Sequence, residues 1–313
     1  MYAYVLQRLF AAVPVLLVVA LFVFLLLHIT PGDPAIVIAG DLASAEELGR
    51  IRRQLGLDQP LHLQFAGWIW RVAQGDLGQS IFSKMPVTEL IAQRLEPTIL
   101  LAATTCVVAI AVAIPLGVAA AARAGTWIDR ALMAVSVLGF SVPVFVLGYG
   151  LIQVFAVSLD LLPVQGYAPL ARGASGTLRS LALPSVTLGL VYFALIARMT
   201  RAAMLDVLTE DYIRTARAKG VAPGSVLGHH ALRNAAVPIV TTIGMGVALL
   251  LGGVVVTETV FNIPGLGRLT VDAILRRDYP VIQGVILLFS AIYVFVNLAV
   301  DLAYTAIDPR IRY

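Results

Sequence analysis

The fold class follows from an apolar stretch near the start of the chain, residues 9–29, which reads LFAAVPVLLVVALFVFLLLHI. It contains no Asp, Glu, Lys or Arg, and a helix needs about 20 such residues to cross the hydrocarbon core of a bilayer. A single helix can do this because it satisfies its own backbone polar groups. The stretch is longer than the apolar region of a secretory signal, and no small-x-small cleavage pattern precedes residues 28–31. It therefore predicts a retained membrane-spanning helix.

The composition extends this conclusion to the whole chain. Of the 313 residues, 59% are apolar and 13% are charged, about half the charged fraction of soluble proteins, and the mean hydropathy is +0.91. The net charge of +4 includes only two lysines, Lys84 and Lys219, which argues against a nucleic-acid partner. The single cysteine, Cys106, excludes an intramolecular disulfide and a cysteine-based metal site. We predict an all-α integral membrane protein.

Five further stretches are apolar enough to span, which gives six transmembrane helices in all. They are residues 98–122, 131–159, 181–197, 234–257 and 279–300. The stretch at 181–197 is short, so we extend it to 201 and expect Arg198 or Arg201 to reach back to the interface.

The basic residues predict the orientation of these spans. Of the 22 bases, 11 lie on the side of the two termini, 6 lie in the long connection 30–97, and 5 lie in the short loops of the opposite side. Long segments cross the membrane almost regardless of charge, so only short loops count. Both termini are predicted to be cytoplasmic, which makes the long connection external.

The external connection carries its own helix signals. Ser44 and Glu47 form a capping box for a helix over residues 45–55 that Gly56 ends, and Pro60 suits the start of a second helix. The apolar residues of this second helix share one face, namely Leu61, Phe65, Trp68, Ile69 and Val72. We expect it to lie on the outer membrane surface, where Trp side chains sit well; a small packed external subdomain is the alternative.

The most polar inner stretch is residues 201–234. Residues 209–219 predict a short helix with Thr209 as its cap, acids in the first turn, bases in the last turn, and Gly220 at its end. A turn at Pro223 then allows a further helix. A helix, a glycine turn and a helix suit the docking of a partner, and a basic loop held to anionic lipid headgroups is the alternative.

This inner stretch also carries a family resemblance. The run YIRTARAKG at 212–220, followed by HALRN at 230–234 and by Pro238, resembles the EAA loop of binding-protein-dependent ABC importer permeases, more narrowly the dipeptide, oligopeptide and nickel group. Three other segments resemble that group, namely TPGDPA at 30–35, GDLGQS at 75–80 and ETVFNIPGLGRL at 258–269. The long outer connection is typical of the first permease of a pair. The resemblance covers essentially the whole chain and implies the type I importer permease fold.

The match to the general motif is partial. That motif would place Glu at Arg214, Ala at Thr215 and Ala216, and Pro at Arg233, which makes sugar and amino-acid subfamilies a poorer fit than the peptide group. In the family this loop forms a coupling helix that seats in a groove of a separate ATPase subunit. The resemblance carries the coupling role to Tyr212, Arg214, Ala216, Arg217, Lys219 and Gly220, where Gly220 permits the turn.

The resemblance implies a permease subunit that, with a second homologous permease, forms a pathway for di- and oligopeptides across the bacterial inner membrane. Two cytoplasmic ATPase subunits or domains would bind ATP and Mg, an external binding protein would deliver the cargo, and this chain would bind no cofactor itself. Nickel or another small peptide-like solute is the alternative cargo. A secondary transporter and a non-transport membrane assembly subunit are the alternatives of other classes, although the chain shows no convincing internal repeat.

The predicted organisation has four parts. Residues 1–29 form the cytoplasmic N-terminus and first span, and 30–93 form the external segment. The permease domain covers 94–305 with a coupling loop at 205–234, and 306–313 form a cytoplasmic tail.

Sequence motifs for catalysis are missing. Lys219 is the only Lys followed by Gly, and no phosphate-cradling loop precedes it. The four His residues include no i, i+4 pair that would bind a metal, and the chain has no nucleophile-elbow or zincin motif. We therefore predict a transporter subunit without its own ATPase, catalytic or metal site.

One acidic residue stands out at the end of the fifth span. Glu258 lies just past the uncharged stretch, where a carboxylate is costly unless it faces a partner or water. It either lines the external mouth of the pathway or pairs with Arg268 at the membrane interface.

Overall fold

The computed structural model describes residues 2–29, 36, 44–55 and 57–307, and helices dominate these ranges. The 30–35 segment, Gly56 and the tail from 308 onward lie outside the described residues. The helices are α1 Tyr2–Ile29, α2 Ala45–Leu55, α3 Leu61–Ala73, α4 Val87–Ala122, α5 Trp127–Ser141, α6 Val144–Leu151, α7 Ala174–Leu208, α8 Asp211–Ala218, α9 Ala236–Val260, α10 Leu266–Arg276 and α11 Tyr279–Ile307. Two π-helical turns lie at Ile152–Ser158 and Val226–Ala231.

Among the described residues, four helices are long and apolar enough to cross a membrane, with spans over Leu6–Leu26, Val87–Ala122, Ala174–Leu208 and Tyr279–Tyr304. Two bent pairs raise the number to six if each pair is one span, namely Trp127–Ser141 with Val144–Ser158 and Ala236–Val247 with Leu249–Val260. The all-α membrane fold predicted from the sequence is confirmed.

The third predicted span, residues 131–159, corresponds to one of these bent pairs and is not one continuous helix. The chain bends by 105° between α5 and the α6 segment. Val142 at the break is extended, and Pro143 begins the second part. The cause is Pro143, because proline removes an N–H and disfavours a helical conformation in the residue before it.

The chain divides into two compact units, one made of the described residues up to Leu95 with Leu269–Val294, the other of Glu96–Arg268 with the described residues from Phe295 onward. In the second unit α7 is the central helix, because 67% of its most apolar window is buried, against 22% for α4. It packs against α5, α6 and α9. The short apolar stretch predicted at 181–201 therefore lies inside a helix of 35 residues.

Two apolar clusters form the core of this second unit. The larger one joins α4, α7 and α9 around residues such as Leu101, Ile196 and Val254. The smaller one gathers Met204, Ile213 and Ile239 with their neighbours at the α8 end of α7. A glycine lets α4 and α7 approach each other closely, since a Cβ at Gly117 of α4 would fall 2.6 Å from the Cβ of Thr200 on α7.

In the first unit, α3 packs on the end of α1. The Phe24 ring lies 5.4 Å from the Phe65 ring and 5.8 Å from the Trp68 ring, measured between centroids. Of the five residues predicted to share an apolar face, Phe65, Trp68, Ile69 and Val72 are half-buried and Leu61 is exposed. Trp70 is also exposed, so α3 keeps apolar surface for a lipid or protein neighbour.

The GDLGQS segment belongs to the same unit and forms a tight turn. Gly75 and Gly78 both have a φ of 84°, and the Asp76 carboxylate accepts a 2.8 Å hydrogen bond from the Gly78 amide. Ser80 then donates from Oγ to the Asp278 carboxylate at 2.5 Å, and both residues are buried. The segment thereby fixes the connection between α10 and α11.

Candidate functional site

The candidate docking helix is α8, Asp211–Ala218, two residues shorter at its start than the predicted helix 209–219. Its N-cap is Glu210, and the Thr209 hydroxyl donates instead to the Asp206 carbonyl at 2.7 Å. Thr209 was predicted as the cap of α8, but it completes the end of α7, because a threonine hydroxyl bonds as readily to a preceding carbonyl as to a following amide.

The two faces of α8 differ sharply. Ile213 is fully buried, and Ala216, one turn later, packs against the same apolar cluster. Tyr212 is 42% exposed, and Arg214, Arg217 and Lys219 are exposed as well. One face of α8 is thus anchored to the rest of the chain, and the exposed remainder presents three cations and a tyrosine beside the Asp211 carboxylate. We call the exposed set Tyr212, Arg214, Arg217 and Lys219 the outer face of α8.

Gly220 ends α8 in a Schellman motif. The Val221 amide bonds to the Ala216 carbonyl at 3.2 Å and the Gly220 amide to the Arg217 carbonyl at 3.0 Å, which is the pattern of that motif. Gly220 has a φ of 74°, and a Cβ there would meet nothing within 4 Å. Glycine is needed here for its backbone conformation and not for space.

The seat behind α8 combines several segments of the second unit. Its buried members come from the end of α4, from α7, from the stretch leading into α9 and from the first turn of α9, and they are Ala121, Ala203, Met204, Val226, Ala231, Ala235 and Ile239. Sequence reasoning carried over Ala216 but missed Ile213 as the main anchor. The available signal was its spacing, since Ile213 and Ala216 are three residues apart and share one side of the helix, and Ile213 is the one large aliphatic side chain of α8.

The side chains of the outer face carry positive charge. Burial raises the pKa of Tyr212, helped by the nearby Glu210 carboxylate, so its phenol is neutral at neutral pH. Arg214 contacts Asp211 at 3.2 Å, but both side chains are exposed, and such pairs contribute little. The outer face therefore suits an acidic groove that also accepts an aromatic ring.

Behind this seat lies an ion pair that sequence reasoning did not find. Arg201 of α7 donates from Nε to Asp129 Oδ1 at 2.5 Å and from Nη2 to Oδ2 at 2.7 Å. Asp129 is buried, and its Oδ2 also accepts from the Gly125 amide at 2.9 Å. The residues are 72 positions apart, so no local pattern announces the pair.

Glu258 is fully buried at the end of α9. Its Oε1 accepts from the Thr98 hydroxyl at 2.5 Å, and its Oε2 accepts from the Arg268 amide at 3.0 Å. The Thr98 hydroxyl also accepts from the Leu266 amide at 2.8 Å. The carboxylate thereby ties α4 to the start of α10, and these contacts support the structural alternative for Glu258.

The glycines of the 258–269 segment make room for this carboxylate. A Cβ at Gly265 would collide with the Glu258 carboxylate, and a Cβ at Gly267 would fall 2.6 Å from the Val255 Cα. The nearby Asn262 has a φ of 53° and accepts from Arg268 Nη1. The segment resembling the permease family is therefore built around one buried acid.

An open cleft of about 540 Å³ lies at the other end of α7, lined among others by Asp160, Gln165, Tyr167, Arg172, Arg179 and Ser180. Tyr167 donates to Glu96 at 2.6 Å. Partial burial and this hydrogen bond raise the pKa of Tyr167, so it remains a donor. The cleft and the outer face of α8 are thus at opposite ends of one helix.

Among the residues that the structure describes, no three side chains of His, Cys, Asp or Glu are placed to share a metal ion. The adjacent His229 and His230 rings meet edge to face at 5.4 Å.

Two family models match the chain. The one described as binding-protein-dependent transport system inner membrane component matches residues 113–313, and its N-terminal membrane counterpart matches residues 1–102. The chain therefore belongs to the family of inner membrane components of binding-protein-dependent transport systems. It is a multi-pass membrane protein, and the resemblance drawn from its motifs is confirmed.

Relatives over the full length carry consistent names. A probable peptide ABC transporter permease protein of Sinorhizobium fredii is 54% identical over 310 residues, covering 99% of each chain. The glutathione transport system permease protein of Salmonella typhimurium is 49% identical over 310 residues, again with 99% of each chain covered. A putative peptide transport system permease protein of Brucella abortus is 48% identical over 313 residues, which is all of both chains.

A solved structure shares the fold. The MetNI methionine ABC transporter in an inward-facing form gives a TM-score of 0.57 at 21% identity and covers 70% of this chain and 96% of that one. At this identity the likeness concerns the fold alone, and it confirms the ABC importer permease fold.

Proposed function

We propose that this chain is one of two permease subunits of an ATP-driven importer of short peptides, and that the outer face of α8 docks on a cytoplasmic ATPase subunit. Two ATPases would hydrolyse ATP, an external binding protein would deliver the peptide, and both termini would be cytoplasmic. The observation that carries the docking role is the two-faced α8, with Ile213 buried and a cationic face exposed.

The peptide cargo is supported by the full-length relatives, whose printed names specify peptide or glutathione transport. Glutathione is itself a tripeptide, so these names agree on the chemical class. Nickel is the alternative cargo, and the titration described below distinguishes it from peptides.

In the proposed mechanism, the partner ATPases supply the free energy by binding ATP. ATP binding closes the two ATPases and draws the docking helices together, and each α8 moves with its seat because Ile213 and Ala216 are packed into it. Switching a two-state bundle almost completely takes about 5.5 kcal/mol. The permease transmits this free energy from its partners and supplies none.

The test is to express the chain with its neighbouring genes, purify it through a tag in lipid, and measure ATP hydrolysis with peptide-loaded binding protein. We expect a second permease and ATPases to copurify and peptide to stimulate hydrolysis. Titration with dipeptide, tripeptide, glutathione and nickel then identifies the cargo. Purification of the chain alone would contradict the proposal.

Matched variants test the two faces of α8 separately. Arg217→Ala removes an exposed cation, so ATPase recovery should fall while the permease melts unchanged. Ile213→Ala empties a fully buried site and should destabilise the permease by about 2–4 kcal/mol. If wild type and Arg217→Ala copurified with equal amounts of ATPase in both low and high salt, the outer face of α8 would not be the docking surface.

A further inference from the structure

The Asp129–Arg201 ion pair stands between the seat of α8 and the broken third span. Arg201 lies two and three residues before Ala203 and Met204, which contact the cluster that buries Ile213. Ala121, at the end of α4, belongs to the same cluster, and Gly125 in the following loop donates to Asp129. Both partners of the pair are therefore attached to the seat of α8.

From Asp129 the chain leads to the break at Pro143. Asp129 is in the first turn of α5, and α5 ends at Ser141, just before the 105° bend. Along its length α5 touches α7 closely, since a Cβ at Gly139 would fall 3.2 Å from the Leu190 carbonyl oxygen. Gly139 is in the last turn of α5, whereas the ion pair fixes its first turn, which contains Asp129.

The geometry of the ion pair opposes sliding of α5 along α7. Two nearly parallel N–H···O bonds of 2.5 and 2.7 Å join a planar guanidinium to a planar carboxylate, and such a fork is directional where a lysine ammonium is not. The side chains are 5% exposed for Asp129 and 27% for Arg201, so salt screens the pair less than an open surface contact.

We infer that Asp129 and Arg201 are positioning residues of the transport cycle: their ion pair makes the inner end of α5 move together with α7 and the docked α8. This inference rests on the proposed function. It assigns the pair a role in transmitting ATPase movement to the third span, in addition to its role in packing.

The first experiment replaces the fork and keeps the charge. In the whole complex, Arg201→Lys is compared with Arg198→Lys, an exposed arginine of the same helix, by ATP hydrolysed per peptide imported. We expect Arg201→Lys to raise this ratio about fivefold or more at equal amounts of assembled complex, while Arg198→Lys matches wild type. Equal ratios for the two variants would overturn the inference.

The second experiment needs no change to the pair. Spin labels at Arg130→Cys and Arg198→Cys, both exposed positions, in a Cys106→Ser background report the distance between the first turn of α5 and the turn of α7 just before Arg201. We expect the same distance in nucleotide-free and ATP-bound complex, because the ion pair holds these two segments together. A separation of the two segments on ATP binding would overturn the inference even if Arg201→Lys failed to assemble.

The two hypotheses fail differently. A wild-type complex without ATP-driven uptake would reject the proposed function itself. A wild-type complex with coupled uptake, combined with an Arg201→Lys variant that is equally coupled, would reject only the role of the ion pair.

Discussion

Gly220 shows how one residue sets the geometry of the proposed docking loop. Its φ of 74° completes the Schellman motif that ends α8, and a residue with a Cβ pays about 1–2 kcal/mol for that conformation. We expect Gly220→Ala to lower peptide uptake several-fold with less loss of ATP hydrolysis. Asn tolerates the left-handed region better than other non-glycine residues, so Gly220→Asn should retain more uptake than Gly220→Ala.

The control for Gly220 lies in the same loop. Gly228 lies in the π-helical turn Val226–Ala231, outside the left-handed region, and has open space around its Cβ position, so Gly228→Ala should transport as wild type does. If Gly220→Ala and Gly228→Ala gave the same uptake, the left-handed turn would have no part in coupling.

Glu258 gives a second prediction at single-residue scale. Its two oxygens each accept a hydrogen bond, from Thr98 and from the Arg268 amide, and an amide in its place would leave one donor without an acceptor. A buried donor left unsatisfied costs about 1–3 kcal/mol. Glu258→Gln should therefore lower the melting temperature of the purified permease, whereas Glu89→Gln, at an exposed position, should not.

Transport separates the two hypotheses for Glu258. If it is structural, Glu258→Gln should regain uptake when cells are grown at lower temperature, because the folded fraction recovers. A variant that melts as wild type does but transports poorly at every temperature would instead favour the pathway role.

At the scale of helices, close packing of α7 against α9 depends on glycine. A Cβ at Gly246 would overlap the ring of Tyr192, while a Cβ at Gly252 on the same helix would meet nothing within 4 Å. Overpacking of this kind costs about 1–3 kcal/mol. We expect Gly246→Ala to lower the melting temperature and Gly252→Ala to leave it unchanged or raise it, and a second change, Tyr192→Leu, to relieve Gly246→Ala in part. Equal melting of the two alanine variants would contradict this packing.

The helices also show what the sequence could and could not predict. Hydropathy located the spans because crossing a bilayer demands long apolar runs, and residues 45–55 carried a capping box that marked α2 correctly. A proline such as Pro143 indicates where a helix can break, but the 105° angle of this bend could not be predicted from the sequence, since α6 also packs against α7 and α9. The partners of Asp129 and Glu258 could not be predicted, because each pairing joins segments far apart in the chain.

At the scale of the whole molecule, function depends on a fixed direction across the membrane. The α7 helix has 35 residues, which at 1.5 Å each gives about 52 Å, more than the ~30 Å hydrocarbon core. The outer face of α8 and the open cleft that includes Arg172 lie near its two ends, so we expect them on opposite sides of the membrane. The bases of the short loops predict that the α8 side is cytoplasmic.

Labelling of single cysteines measures this direction. In a Cys106→Ser background, Arg172→Cys and Arg217→Cys both sit at exposed positions, one at each end of α7. We expect a membrane-impermeant maleimide to label Arg172→Cys in cells with a permeabilised outer membrane, and to label Arg217→Cys only after the inner membrane is opened. Because an ATPase can dock only from the cytoplasm, the reverse pattern would contradict both the predicted orientation and the docking role of α8.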